Sequence, residues 1–191
     1  MVSMALAAPL LPFLPLVAKQ ILLNNIFSDI PSIAISTDNV DPETVARAQR
    51  WQIKDVQRFM IVFGLISSVF DLVTFAVLLL VFHADQATFQ TTWFVISLLT
   101  ELAVVLVLRT HGPAFRSRPS RLLLWTTVTM IVVALAIPFL GPLASAFGFV
   151  PLSALLMVAV LIIVAGYIAA TEGAKKWFYG KQNTSEPVGV A

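Results

Sequence analysis

The chain has 191 residues, 59% of them hydrophobic and only 12% charged, with a mean hydropathy of +0.92. A water-soluble domain carries about 25% charged residues, so this chain lacks the polar surface to face water on all sides. The absence of cysteine excludes a disulfide framework and thiol chemistry, the two histidines, His83 and His111, are far apart and do not favour a metal site built from them alone, and the formal net charge is a small +2.

Six apolar segments follow one another at residues 1–17, 20–36, 59–82, 89–108, 122–138 and 151–171. Each is close to the ~20 residues that cross a bilayer as a helix. The fold expected is therefore an all-α polytopic membrane bundle of about six transmembrane helices, over residues 1–180, with a polar cytoplasmic tail at 181–191. The first segment is the weakest helix, because Pro9, Pro12 and Pro15 recur every third residue and each proline costs about 3 kcal/mol in a helix interior. No Lys or Arg precedes it, so it does not read as a signal peptide.

The second segment is the most informative. Asn25, Ser28, Asp29 and Ser32 fall at i, i+3, i+4 and i+7 and share one helical face. A mid-membrane Asp costs about 2.5–3.5 kcal/mol on insertion scales and belongs in a bundle interior or a water-filled cavity. Pro31 removes a backbone donor and leaves the carbonyl of Phe27 without its helical partner. Carboxylate, amide, hydroxyl and carbonyl oxygens in one place suit a hard cation, and interrupted helices near the midplane are where transporters hold ions. The competing reading is interhelical hydrogen bonding alone; Asp29 beside Pro31 favours the cation.

The loop at 37–58 carries Asp41-Pro42-Glu43, which reads as an N-cap, a first-position proline and a first-turn acid opening a short helix through Val45 and Arg47. A divalent-cation loop built on Asp38, Asp41 and Glu43 is the alternative, and it lacks regular ligand spacing. In the third segment Asp71 stands with Ser67, Ser68 and Thr74 at helical spacing and reads as structural. In the fourth, Glu101 with Thr100 and Ser97 reads equally as an ion-path residue or a structural acceptor. The fifth and sixth segments hold no charge between Leu122 and Thr171; residues 138–142 read as a turn, and Trp125, Trp177, Phe178 and Tyr179 as interfacial anchors.

Eleven of the twelve basic residues lie in the loops at 37–58 and 109–121 and in the tail, and only Lys19 falls on the other side. The positive-inside rule makes the basic side cytoplasmic and, with six spans, puts both termini there. These short basic loops flank spans and are topology signals, so no nucleic-acid partner is expected. No phosphate loop, nucleophile elbow or metal-hydrolase histidine pair is present.

Leu11-Pro-Phe-Leu-Pro15, Lys19-Gln-Ile-Leu-Leu-Asn24-Asn25, Ser28-Asp29-Ile-Pro31 and Thr37-Asp-Asn-Val-Asp-Pro-Glu43 resemble the C-terminal membrane part of magnesium-translocating P-type ATPases. Gln49-Arg50-Trp51, Arg58-Phe59-Met60, the run Phe63 to Asp71, and Val107-Leu-Arg109-Thr110 continue the likeness to about residue 180. The resemblance implies that the first segment ends the family's fifth membrane helix and that the others are its sixth to tenth. It implies Mg²⁺ as the transported ion, bound by Asn25, Ser28 and Asp29 with Glu101 from the eighth helix. It implies ATP used through an aspartyl-phosphate, and an inner (plasma) membrane location. The Asp-Lys-Thr-Gly-Thr phosphorylation motif and the nucleotide-binding and actuator domains are absent from this sequence, so ATP hydrolysis by this chain alone is not expected. Its expected partners are the bilayer and the N-terminal part of such an ATPase. A fragment or truncated product is the leading reading; a stand-alone interaction subunit of a separately encoded ATPase and a small cation channel or carrier are the alternatives.

Overall fold

A computed structural model describes residues 11–38, 53–110 and 119–182. Helix α1 spans Ala18–Ala34 and ends in a 3₁₀ turn, Ile35–Thr37. Helix α2 spans Ile53–Ala76 and widens into a π turn at Val77–Val81. Helix α3 is Gln86–Leu108, and α4 is Arg121–Ala136 with a 3₁₀ turn at Ile137–Phe139. A short α5, Pro142–Ala146, precedes α6, Ala154–Gln182. No strand occurs among the described residues.

Four stretches, residues 57–81, 86–108, 121–139 and 154–178, are long and apolar enough to span a membrane. They match the last four expected segments. Helix α1 with its 3₁₀ turn realises the second. The first segment differs: residues 11–17 form bends and no helix, and residues 1–10 lie outside the described part. Pro12 and Pro15 remove two donors and disfavour helical backbone at Leu11 and Leu14. The backbone finds partners elsewhere: the Leu14 carbonyl accepts from Gln90 Nε2 at 2.7 Å, and the Val17 N–H donates to Gln20 Oε1 at 3.2 Å. The sixth segment is also longer than expected, because Glu172, Ala174, Lys175 and Lys176 continue the helix past the apolar run as good helix formers. The loop features at Asp41, Glu43, Val45 and Arg47, His111, and the tail beyond Gln182 lie outside the described residues.

Helix α3 is the central element. It packs on α6, α1 and α4, while α2 packs on α6 and α1 on α4. Fifty-six per cent of its span is buried, against 17–28% for the other three. Phe89, Phe94, Leu98 and Leu102 on α3 are fully buried, and Phe75 of α2 stacks against Phe89 and Trp93 at 5.4 and 4.5 Å. The outer faces of α2, α4 and α6 expose leucine, isoleucine and valine, Leu80, Val132 and Ile162 among them. Such surface gains roughly 25 cal/mol per Å² on leaving water, so the bilayer is its solvent and the chain is a membrane protein.

The two ends of the bundle differ in charge. At one end Arg109 donates to Asp38 at 2.8 Å, the Ser120 N–H donates to the same carboxylate at 2.7 Å, and Lys175 donates to the Val107 carbonyl at 2.8 Å. Phe59 packs on Phe178 at this end, which therefore collects Arg58, Arg109, Arg121, Lys175 and Lys176. At the other end Lys19 donates to the Ala146 carbonyl at 2.6 Å and Gln20 to the Phe147 carbonyl at 3.2 Å. The turn there uses Gly141 at φ 57°, ψ −118°, a backbone conformation that an L side chain rarely adopts.

Candidate cation site

Helix α1 faces its neighbours through Gln20, Asn24, Ser28, Pro31 and Ala34, all buried. This stripe lies one residue away from the expected one. Asn24 is buried where Asn25 was expected, and its Nδ2 donates to Glu101 Oε2 at 2.9 Å, joining α1 to α3. Charge-assisted bonds of this kind are among the stronger ones available to a helix pair. Ser28 is buried beside the same carboxylate, and its hydroxyl donates to the Asn25 carbonyl at 3.1 Å. Asp29 is exposed on the flank of α1, and its charge reaches Glu101.

The expected break at Pro31 does not form; α1 is continuous through it. Proline sits in the last turn, where the Ile35 N–H still closes onto the Pro31 carbonyl and Ser32 Oγ donates to the Ser28 carbonyl at 2.8 Å. The fixed proline φ fits a helix, so only one bond is lost.

Beside the Asn24–Glu101 bond lies a partly open cleft of about 330 Å³ between α1, α2, α3 and α6. Asn24, Asn25 and Glu101 form one wall, and Ser67 and Asp71 of α2 with Tyr167 of α6 form the other. Ser28 and Asp29 are not in its lining. Asp71, read from sequence as structural, thus shares a cavity with Glu101. Across the second wall Ser67 Oγ and Tyr167 Oη lie 2.8 Å apart. Asn24, Tyr167 and Trp93 also line the cleft without being candidates from sequence; the signal for Asn24 is Gln20, which extends the 24–28–31 stripe by one polar turn.

Among the described residues no three acidic or imidazole groups converge as a direct metal cage. Cation binding here would draw on few carboxylates, amide and hydroxyl oxygens and retained water, a donor set compatible with Mg²⁺, which dehydrates reluctantly. Asp38, offered as part of a loop cation site, is instead engaged by Arg109 and the Ser120 N–H.

An apolar helix bundle with a carboxylate-bearing cleft inside it defines a polytopic membrane protein. The family model for the cation transporting ATPase C-terminus matches residues 13–177, and the chain belongs to that family. It is 39% identical over 185 residues to the magnesium-transporting ATPase, P-type 1, of Escherichia coli (strain K12). It is 37% identical to the protein of that name from Salmonella typhimurium (strain 14028s / SGSC 2262) and 33% identical over 181 residues to one from strain LT2. These matches cover 92–94% of this chain and 20% of each relative, so the chain spans about a fifth of their length.

Proposed function

We propose that this chain is the C-terminal membrane part of a Mg²⁺-transporting P-type ATPase, with Asn25, Ser28, Asp29 and Glu101 serving its cation site and Asn24 positioning Glu101. The observation that carries the reading is the Asn24–Glu101 bond at the wall of an interhelical cleft, in a chain whose relatives are named for magnesium transport. Asp29 supports it from another side. An exposed Asp on a membrane helix costs about 2.5–3.5 kcal/mol against lipid, so the flank bearing Asn25 and Asp29 is one that further helices or water cover. The energy source is ATP hydrolysis in domains that the relatives' greater length accommodates, and these remaining ATPase parts are the proposed partner. The location proposed is the inner (plasma) membrane with the basic end cytoplasmic, supported by Arg58, Arg109, Arg121, Lys175 and Lys176 lying at one end.

The test is growth of a magnesium-transport-deficient bacterium at limiting Mg²⁺, with the chain and the remaining ATPase part co-expressed. Rescue that needs both parts and disappears in Asp29→Asn and Glu101→Gln is expected. Rescue that survives both substitutions overturns the site, and no rescue with both parts present in the membrane overturns the function.

A further inference from the structure

We propose that the connector between α4 and α6, residues 139–153, is seated in the membrane, and that acyl chains of the leaflet at the end opposite the basic one cover its exposed apolar corner, Phe139, Leu140 and Leu143. This surface lies outside the lining of the cleft and takes no part in the transport reading.

A connection that meets water carries polar side chains. This one carries two, Ser145 and Ser153, and both turn back to the backbone. Ser145 Oγ donates to the Pro142 carbonyl at 2.9 Å, and Ser153 Oγ accepts from the Leu156 N–H at 3.3 Å. No Asp, Glu, Lys, Arg or His occurs from Leu122 to Thr171. The link from α2 to α3 at the same end differs, with His83, Asp85 and Gln86 close together.

Bonds to neighbouring helices set the depth of the connector. The Val150 N–H donates to Thr91 Oγ1 at 3.1 Å, and Phe149, 3% exposed, packs on Phe94 with ring centroids 4.6 Å apart. Thr91 stands five residues into α3, so Val150 lies roughly 7 Å below the first residue of that span at ~1.5 Å per residue. The chain therefore turns back into the bundle before α6 begins. On the other side, the span from Arg121 to Phe139 has 19 residues. That is about 28 Å of helix against a hydrocarbon core of about 30 Å. With Arg121 at the basic boundary, Phe139 stops just short of the opposite one.

Backbone at this depth needs partners within the protein. The Ser145 N–H donates to the Gly141 carbonyl at 3.0 Å, the Gly148 N–H to the Ser145 carbonyl at 2.9 Å and the Phe149 N–H to the Ala144 carbonyl at 2.9 Å. Lys19 and Gln20 supply donors to the Ala146 and Phe147 carbonyls, which fastens the first turn of α1 to the connector. Phe139, Leu140 and Leu143 are left 52%, 46% and 55% exposed. Phe139 follows the exposed Val132 by seven residues, two turns on along the same face, so the corner continues the lipid-facing side of α4. Contacts between membrane helices favour small and polar residues. The α1 flank with Asn25, Asp29 and Ser32 offers these; Phe139, Leu140 and Leu143 do not. Apolar side chains on an interfacial element reach about 5–10 Å into the acyl boundary, the depth at which this corner stands.

The chain has no cysteine, so single nitroxide labels report the position directly in nanodiscs, through collisions with oxygen, which concentrates in lipid, and with a nickel chelate confined to water. At Leu140→Cys and Leu143→Cys, oxygen collisions are expected to exceed nickel collisions, as at Val132→Cys, with the order reversed at Gln86→Cys. Nickel collisions in excess at both positions put the corner in water and overturn the proposal. Exclusion of both reagents when the remaining ATPase part is co-expressed assigns the corner to a protein partner and also overturns it. Phosphatidylcholine bearing a diazirine in its acyl chain tests the unmodified chain, so the answer does not depend on the folding of any variant. Photolabel on residues 139–143 as well as around Val132 is expected, and label around Val132 with none on 139–143 overturns the seat.

Discussion

Asn24 Nδ2 donates to Glu101 Oε2 at 2.9 Å, and this bond fixes which face of α1 looks into the bundle. Hydrogen bonds between membrane helices average about 0.6 kcal/mol by double-mutant cycles, with a maximum near 1.7. The Asn24→Ala, Glu101→Ala cycle is expected to give a coupling near the upper value, because the acceptor is charged. Unfolding in mixed detergent micelles measures it. Its loss in transport is expected to exceed its loss in stability, since Glu101 faces the cleft.

The Asp38–Arg109 pair should matter more to stability. Both side chains are at least nine-tenths buried, and removing one partner of a buried pair costs about 3–5 kcal/mol. Arg109→Gln is expected to lower the unfolding midpoint sharply, and adding Asp38→Asn to recover most of the loss by removing the stranded charge. The same titration of single and double variants checks both statements.

Lys175 is 1% exposed; it donates to the Val107 carbonyl and, at 3.3 Å, to Glu172. Val107 is among the last residues of α3, where carbonyls lack intrahelical partners. Lys175→Met keeps the stem and loses the donor, so a cost of about 1–3 kcal/mol is expected. Hydrogen exchange should show it first at the C-terminal turn of α3.

Asp85 caps α3, accepting from the Ala87 N–H at 3.3 Å, and a hydrogen bond from the Thr88 hydroxyl is the main reason its carboxyl is held below the ordinary value of 3.8. With the folded value depressed, the cap's contribution is complete above the unfolded value and is lost as pH falls through the folded one. Asp85 is largely exposed, so solvent screens the effect and it is small. Hydrogen exchange at the first turn of α3 should quicken below about pH 4, and Asp85→Asn should remove that dependence while keeping a cap.

Much of this fold is legible in the sequence, because in lipid a long apolar run is enough to place a helix. The register of α1 is not. Asn25–Ser28–Asp29–Ser32 and Gln20–Asn24–Ser28–Pro31 are both helical stripes, offset by one residue, and only packing against Glu101 separates them. That Asp71 lines a cleft with Glu101 and Tyr167 is not legible either, because nothing local to α2 says which helices pack alongside it. The segment at 1–17 is apolar enough for a span, yet around Pro12 and Pro15 the Leu14 carbonyl and the Val17 N–H bond to the Gln90 and Gln20 side chains, an outcome that hydropathy does not encode.

The polar links between α1 and α3 recur along the whole length of the pair: Gln90 to the Leu14 carbonyl just ahead of α1, Asn24 to Glu101 midway, and Asp38 to Arg109 at the basic end. A slide of one helix past the other would have to break all three together. The pair is thus a two-helix strut. Any change in the width of the cleft falls to α2, which lines its far side and leans on α6 and on the Phe89–Trp93 rings.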